Sequence, residues 1–146
     1  MVIYFYSVTD KEGYLSNFAR YSFELEGKYW ETVEHYFQAQ KFLGTELEEK
    51  IRKAATPKQA KILGQSRNIV LREDWEEVKN EIMLKAIRKK FQTHENIKQK
   101  LLATGQEELI ESSPNDYYWG CGSDGSGKNI TGILLMQVRS ELSSAK

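Results

Sequence analysis

The chain has 146 residues with 21 basic and 21 acidic side chains, so its formal net charge is zero. That balance gives no support to nonspecific binding of DNA or RNA. Hydrophobic residues make up 40% and aromatic residues 12% of the chain, which excludes a disordered protein and suffices for a self-supporting core. We therefore predict a single domain over residues 1–146.

Hydrophobic periodicity predicts an α+β fold that is dominated by helices and has a small sheet of short strands. The predicted strands cover 2–7, 21–26, 29–30 and 109–112, and the predicted helices cover 32–42, 46–55, 56–64, 74–92, 95–103 and 129–142. Thr32 and Thr56 are predicted N-caps, and Asp74 is predicted to open a capping box with Glu77. A turn is predicted at Gly27-Lys28.

Cysteine and histidine, the usual ligands of zinc, are few and lie far apart in this chain. Cys121 is the single cysteine, so an intramolecular disulfide cannot form and a Cys-based zinc site is not expected. His35 and His94 lie far apart, which excludes an HExxH motif, and we expect no metal or organic cofactor. The first residues are typical of a strand rather than of a signal peptide, and no membrane span is expected. We predict a reduced, cytoplasmic protein.

The helix predicted over 32–42 carries a carboxylate, Glu34, and an imidazole, His35, in its first turn. The helix dipole stabilises negative charge at that position, so Glu34 is expected to stay ionised. An ionised carboxylate suits a group that activates water or stabilises a cation. A solvated surface glutamate is the alternative interpretation.

The segment 114–129 is dense in functional residue types. Its glycines allow close backbone approach to a ligand, Asp116 is a second candidate carboxylate, and Trp119 offers a flat surface for a base or sugar. The alternative interpretations are that Asp116 forms an Asx turn and that Trp119 belongs to the core.

Residues 122–128 match G-x-x-x-x-G-K, but Asn129 replaces the required Ser or Thr, so a P-loop NTPase is not predicted. Backbone N–H groups at the start of the last helix remain a candidate phosphate site.

Three further residues each have two interpretations, and a fourth, Trp75, has one. Arg67 and Arg72 flank an apolar segment and either bind a phosphate or are solvated. Trp75 lies at the start of an amphipathic helix, where tryptophan usually belongs to the core. Asn17 either hydrogen-bonds a sugar or base or stabilises a turn.

Read together, the motifs of this chain resemble those of the NADAR, or YbiA-like, family, in the same order and over nearly the whole length. The motifs are Leu15-Ser16-Asn17-Phe18, the run 32–42, Ala60-Lys61-xx-Gly64, Arg72-Glu73-Asp74-Trp75, Lys90-Phe91, Thr104-Gly105, Glu111-Ser112, Asp116-xx-Trp119-Gly120 and the run 127–132. Each motif alone is weak, whereas the ordered set is specific. The departures are small: Val33 stands where a small or hydroxyl residue is common, and Glu31 where a proline is common.

The resemblance implies an N-glycosidase, and the substrates associated with the family include ribosylamino-pyrimidine 5′-phosphates of early riboflavin biosynthesis. It implies that Glu34, Asp116 and Trp75 are the catalytic residues. The sequence-based candidates for substrate binding are Asn17, His35, Trp119, Arg67, Lys128 and Asn129. Glu34 would act as base or cation stabiliser, because glycosyl transfer passes through an oxocarbenium-like transition state.

Two alternatives remain open at this stage. Other family members are linked to the removal of ADP-ribose from guanine, and a local basic patch at Arg88-Lys89-Lys90 would then help to bind a nucleic acid. The second alternative is a noncatalytic module that binds ADP-ribose or NAD. The expected partner is in either case a small phosphoribosyl or ADP-ribosyl molecule, and nucleic acid is expected only with the guanine alternative.

Overall fold

The computed structural model of the protein describes residues 1–144, and over that range it has six α-helices, one short 3₁₀ helix and four short strands. The elements in chain order are β1 (Val2–Phe5), the 3₁₀ helix (Gly13–Leu15), β2 (Phe23–Leu25), β3 (Lys28–Trp30), α1 (Val33–Gln40), α2 (Glu46–Arg52), α3 (Pro57–Leu63), α4 (Trp75–Thr93), α5 (Glu95–Ala103), β4 (Glu108–Glu111) and α6 (Ile130–Ser144). The predicted helix-dominated α+β class is confirmed. The strands form two separate two-stranded sheets instead of one.

The chain folds as two compact units. The first unit combines Met1–Ala19 with the chain from Phe91 onward, and the second unit is Arg20–Lys90. Helix α4 therefore begins in the second unit and ends in the first. The single-domain organisation stays a prediction.

In the first unit, β1 and β4 pair in parallel, with Ile3 opposite Leu109. Helix α6 packs on β4, and α5 packs on α6. The buried side chains of this unit are apolar and include Phe5, Leu15, Phe91, Ile97, Leu101, Leu109, Leu135 and Val138. Because α5 and α6 each present an apolar stripe to this core, their positions follow the helical spacing that predicted them.

In the second unit, β2 and β3 form an antiparallel hairpin with Phe23 opposite Trp30. The two connecting residues, Glu26 and Gly27, have φ angles of 56° and 79°. Positive φ at both positions defines the type I′ turn that matches the twist of two paired strands. The predicted turn at Gly27-Lys28 was thus one residue late, because Lys28 already pairs with Leu25.

Three short helices, α1 to α3, pack on one another in the second unit. Thr32, Thr45 and Thr56 cap them, and each threonine side chain accepts a hydrogen bond from a backbone N–H inside its helix. The predicted capping box at Asp74 is wrong within the described part of the chain. The carboxylate of Asp74 instead accepts two hydrogen bonds from the guanidinium of Arg72, at 2.7 and 3.0 Å.

Among residues 1–144, no helix is both long enough and apolar enough to cross a membrane.

Candidate functional site

Glu34 lies in the first turn of α1, and its side chain is buried. The residue is only 7% exposed, which rules out the interpretation as a solvated surface glutamate. The helix start is fixed by Thr32, whose hydroxyl oxygen accepts from the N–H of His35 at 3.1 Å. Burying a carboxylate costs free energy unless hydrogen bonds or an opposite charge compensate for the lost water. The neighbours of Glu34 on α1 provide this compensation.

Two of these neighbours are Gln38 and Lys41, four and seven residues further along the chain. This spacing places them on the same helical face as Glu34, and we call the three residues the α1 polar stripe. The Nε2 of Gln38 donates to Oε2 of Glu34 at 2.6 Å. Burial lowers the pKa of the Lys41 ammonium, and the negative charge of Glu34 acts in the opposite direction. The stripe therefore joins a carboxylate, an amide and a cation.

The ammonium of Lys41 lies beside an aromatic pair formed by Phe37 and Trp75. The two ring centroids are 5.0 Å apart, and Nζ of Lys41 is 5.7 Å from the Phe37 centroid and 5.9 Å from the Trp75 centroid. These distances suit cation–π attraction. Trp75 is only 5% exposed, so it is packed as a core residue that also contacts the α1 polar stripe. A catalytic role for Trp75 stays a prediction.

Arg72 ties the segment before α4 to the end of α1. Its backbone N–H donates to the carbonyl oxygen of Lys41 at 3.1 Å, and its Nη1 donates to the carbonyl oxygen of Gln40 at 3.3 Å. The guanidinium also donates to the carboxylate of Asp74, so its hydrogen-bonding groups are used within the protein. The carbonyl oxygen of Arg72 accepts from the N–H of Trp75 at 3.2 Å. Arg67 is exposed on the segment between α3 and α4 and stays a predicted phosphate ligand.

His35 is fully buried, and both of its ring nitrogens are used by the protein. Nδ1 lies 2.8 Å from Oγ1 of Thr32, and Nε2 lies 3.0 Å from the carbonyl oxygen of Ala54. Burial lowers the pKa of the imidazole, which favours the neutral ring. This geometry gives His35 a structural role and leaves no ring nitrogen for the predicted substrate contact.

Asp116 and Trp119 lie in the first unit, on the loop that precedes α6. Oδ1 of Asp116 accepts from the N–H groups of Tyr118 and Trp119 at 3.0 and 2.8 Å, which is the Asx-turn geometry of the alternative interpretation. Trp119 is half-buried and packs edge-on against Tyr118, whose ring lies 5.6 Å from Nζ of the exposed Lys128. This loop thus brings a carboxylate, two aromatic rings and a cation together.

Asn129, predicted to bind substrate, is committed to the fold. Its Oδ1 accepts from the N–H of Glu111 at 2.9 Å, and its Nδ2 donates to the carbonyl oxygen of Leu109 at 2.9 Å. The N–H groups of Ile130 and Thr131 donate to carbonyl oxygens of the preceding loop. These N–H groups at the start of α6 are therefore not available to a phosphate, contrary to expectation.

Replacing Asn129 with Ala should therefore destabilise the protein. The change leaves two backbone groups of β4 without their amide partner and places Ala in a left-handed conformation, since φ is 53°. We expect a loss of about 2–4 kcal/mol in the free energy of unfolding, measured by denaturant titration. Asn129→Gly, which tolerates the positive φ, should recover part of that loss. An Asn129→Ala protein of unchanged stability with weakened substrate binding would restore the substrate-contact interpretation.

Asn17 follows the 3₁₀ helix of the first unit and is 8% exposed. The turn there is held by Ser16, whose Oγ accepts from the N–H of Phe18 at 3.1 Å. Its predicted contact with a sugar or base stays a prediction.

Sequence reasoning missed Gln38 and Lys41. A signal was present, since Glu34, Gln38 and Lys41 follow one another at spacings of four and three, which places them on one face of the helix. The predicted site residues divide between the units. Glu34, His35, Arg67 and Trp75 belong to the second unit, and Asn17, Asp116, Trp119, Lys128 and Asn129 belong to the first.

The helix-dominated α+β fold, with the carboxylate of Glu34 in the first turn of α1, agrees with the resemblance to the NADAR family. The NADAR family model matches residues 4–143, and the chain belongs to this family. It is 46% identical to N-glycosidase YbiA of Escherichia coli over 145 residues, which cover 99% of this chain and 91% of that protein. The NMR structure of E. coli YbiA matches with a TM-score of 0.90 over 98% of this chain and 85% of that one. Riboflavin biosynthesis protein VVA0006 of Vibrio vulnificus is 41% identical over 96% of this chain and 38% of its own length.

Proposed function

We propose that this protein is an N-glycosidase that hydrolyses ribosylamino-pyrimidine 5′-phosphates, intermediates of riboflavin biosynthesis, and releases ribose 5-phosphate. The observation that carries the proposal is the 46% identity to N-glycosidase YbiA over 99% of the chain. The relative named for riboflavin biosynthesis supports the substrate class. The α1 polar stripe supplies groups that suit the reaction. The protein is proposed to act in the cytoplasm.

The reaction needs a group that stabilises positive charge at the anomeric carbon or takes a proton from water. As the C1′–N bond breaks, its electron pair leaves with the amine nitrogen, which takes up a proton, and the water oxygen bonds to C1′. We assign one of these two tasks to Glu34: its carboxylate accepts the proton of the attacking water, or its negative charge stabilises the developing oxocarbenium ion. Its burial strengthens that electrostatic interaction, because the local dielectric is low.

The role of Asp116 rests on the family resemblance, whereas the roles of the other residues rest on the chemistry of their side chains. Asp116 is proposed to hold a ribose hydroxyl or to supply the proton to the departing amine, and Oδ1 is already engaged by two backbone N–H groups. Trp119, half-buried, is proposed to stack on the base. The exposed cations Arg67 and Lys128 are proposed to contact the phosphate.

Lys41 is proposed to keep Glu34 ionised in the free enzyme. Replacing it with Met removes the cation that acts on Glu34 but keeps an apolar stem against Phe37 and Trp75. We expect the acid limb of the pH profile of kcat/KM to move to higher pH, because the cation no longer favours the ionised carboxylate. Lys58→Met, which removes an exposed cation from α3, is the matched control and should leave that limb in place. An unmoved acid limb in Lys41→Met would contradict this role.

The direct test of the proposed function is sugar release by the purified protein. Ribosylamino-pyrimidine 5′-phosphates and ADP-ribosyl-guanosine are assayed in parallel, and the sugar product is identified by mass spectrometry. Release of ribose 5-phosphate is the expected result. Release of ADP-ribose alone would assign the protein to reversal of guanine modification, and binding of ADP-ribose without any release would support the noncatalytic alternative.

One observation already weakens the guanine alternative. Lys90, the last residue of the predicted basic patch, is only 1% exposed, so it is not a surface cation. Burial lowers its pKa to about 7, and its Nζ lies 5.7 Å from the ring centroid of Tyr21. The patch is therefore smaller than its sequence predicts.

A further inference from the structure

Gln38 lies between Glu34 and Gly64 and is almost completely enclosed. It is 4% exposed, and its Nε2 donates to Oε2 of Glu34 at 2.6 Å. Its other polar atom, Oε1, is buried without a hydrogen-bond partner in the described part of the chain. A buried carbonyl oxygen without a hydrogen-bond partner is destabilising, so stability does not explain this arrangement.

The orientation of the amide is fixed by the carboxylate. An ionised carboxylate only accepts hydrogen bonds, so the NH2 group of Gln38 must face Glu34 and Oε1 must face away. Facing away, Oε1 lies against the backbone of Gly64. A Cβ atom added at Gly64 would collide with Oε1 and would lie 2.7 Å from Cδ of Gln38.

Gly64 is not required by its own backbone conformation. Its φ of −66° and ψ of −14° are ordinary right-handed values that alanine adopts readily. The absence of a side chain at this position is therefore explained by the space that the Gln38 amide occupies.

We propose that Gln38 is a positioning residue that orients the carboxylate of Glu34 for N-glycoside hydrolysis, and that Gly64 provides the space for its amide. This inference rests on the proposed function for its catalytic consequence. The charge-assisted hydrogen bond fixes the Glu34 side chain and favours its ionised form. The buried Oε1 is the stability cost of that orientation, and such costs are typical of functional sites.

The test uses Gln38→Met, which keeps the volume and removes the donor. We expect kcat on the ribosylamino-pyrimidine phosphates to fall roughly 10- to 100-fold with little change in KM, as for other residues that orient a functional ligand. The acid limb of kcat should move to higher pH, because the ionised carboxylate loses a donor. Gln40→Met is the matched control, since Gln40 lies on the same helix and is also 4% exposed, and it should leave the limb unchanged.

The same substitution is tested without substrate, so that failure of the inference is distinguished from failure of the proposed function. Carbon-13 NMR of the Glu34 carboxyl should show titration at higher pH in Gln38→Met than in the parent protein. A shifted titration in a protein that cleaves no substrate would retain the positioning role and reject the proposed function. An unshifted titration and an unchanged kcat would overturn the positioning role.

Gly64→Ala provides an independent variant. The new Cβ should displace the Gln38 amide and lower kcat as Gln38→Met does. Because both changes act on one hydrogen bond, the double variant should be no worse than the poorer single variant. Fully additive losses would contradict the proposal.

Discussion

Substituting Gln for Glu34 should lower kcat by about 100- to 10,000-fold, the range that positioned acid–base groups contribute. The amide is nearly isosteric and its oxygen still accepts from Nε2 of Gln38, so folding should be retained. The amide cannot take a proton from water and carries no charge to stabilise an oxocarbenium ion. Release of ribose 5-phosphate measures kcat, and thermal unfolding of the same preparation shows whether the fold is retained.

Glu48→Gln is the matched control for this experiment. Glu48 lies in the same unit and is also 7% exposed, but its carboxylate accepts from the N–H of Gly44 and pairs with Lys28. Removing the negative charge of Glu48 should leave kcat nearly unchanged. Full activity in Glu34→Gln, or an equal loss in both variants, would remove Glu34 from the mechanism.

The fold was largely predictable from local signals. Threonine caps and helical apolar spacing located α1 and α3, and the limits of α5 match the prediction residue for residue. The predictions of local structure were wrong where the same residues allow two different local arrangements. The hairpin turn moved to Glu26-Gly27 because strand pairing decides the turn, and Asp74 binds Arg72 because a nearby guanidinium outcompetes backbone N–H groups.

The chemistry of the candidate residues was less predictable, because it depends on burial and on partners distant in sequence. His35 and Asn129 looked like ligand-binding residues, but each has its polar atoms satisfied by the chain itself. Glu34 looked equally suited to the surface and is buried. The reason for Gly64 is a side chain 26 positions away, at Gln38, which no local pattern contains.

Trp75 provides the sharpest contrast between a structural and a functional role. Its burial at 5% exposure and its packing on Phe37 predict that Trp75→Ala costs about 3–5 kcal/mol of unfolding free energy. For a chain of this size, that loss lowers Tm by roughly 10 °C. Thermal unfolding followed by circular dichroism measures it, and a Tm within a degree or two of the parent protein would contradict core packing.

Trp75→Phe separates stability from function, because it keeps an aromatic ring against Phe37 and beside Nζ of Lys41. If Trp75 only supports the α1 polar stripe, this variant should retain most of kcat/KM. A drop of tenfold or more at nearly unchanged Tm would assign Trp75 a direct contact with substrate. Trp30→Phe is the control, since Trp30 is also buried in the same unit but packs on Tyr36. A comparable drop in that variant would attribute the loss to the unit as a whole, because Lys41 lies over the rings of Phe37 and Trp75 whereas Trp30 packs on Tyr36.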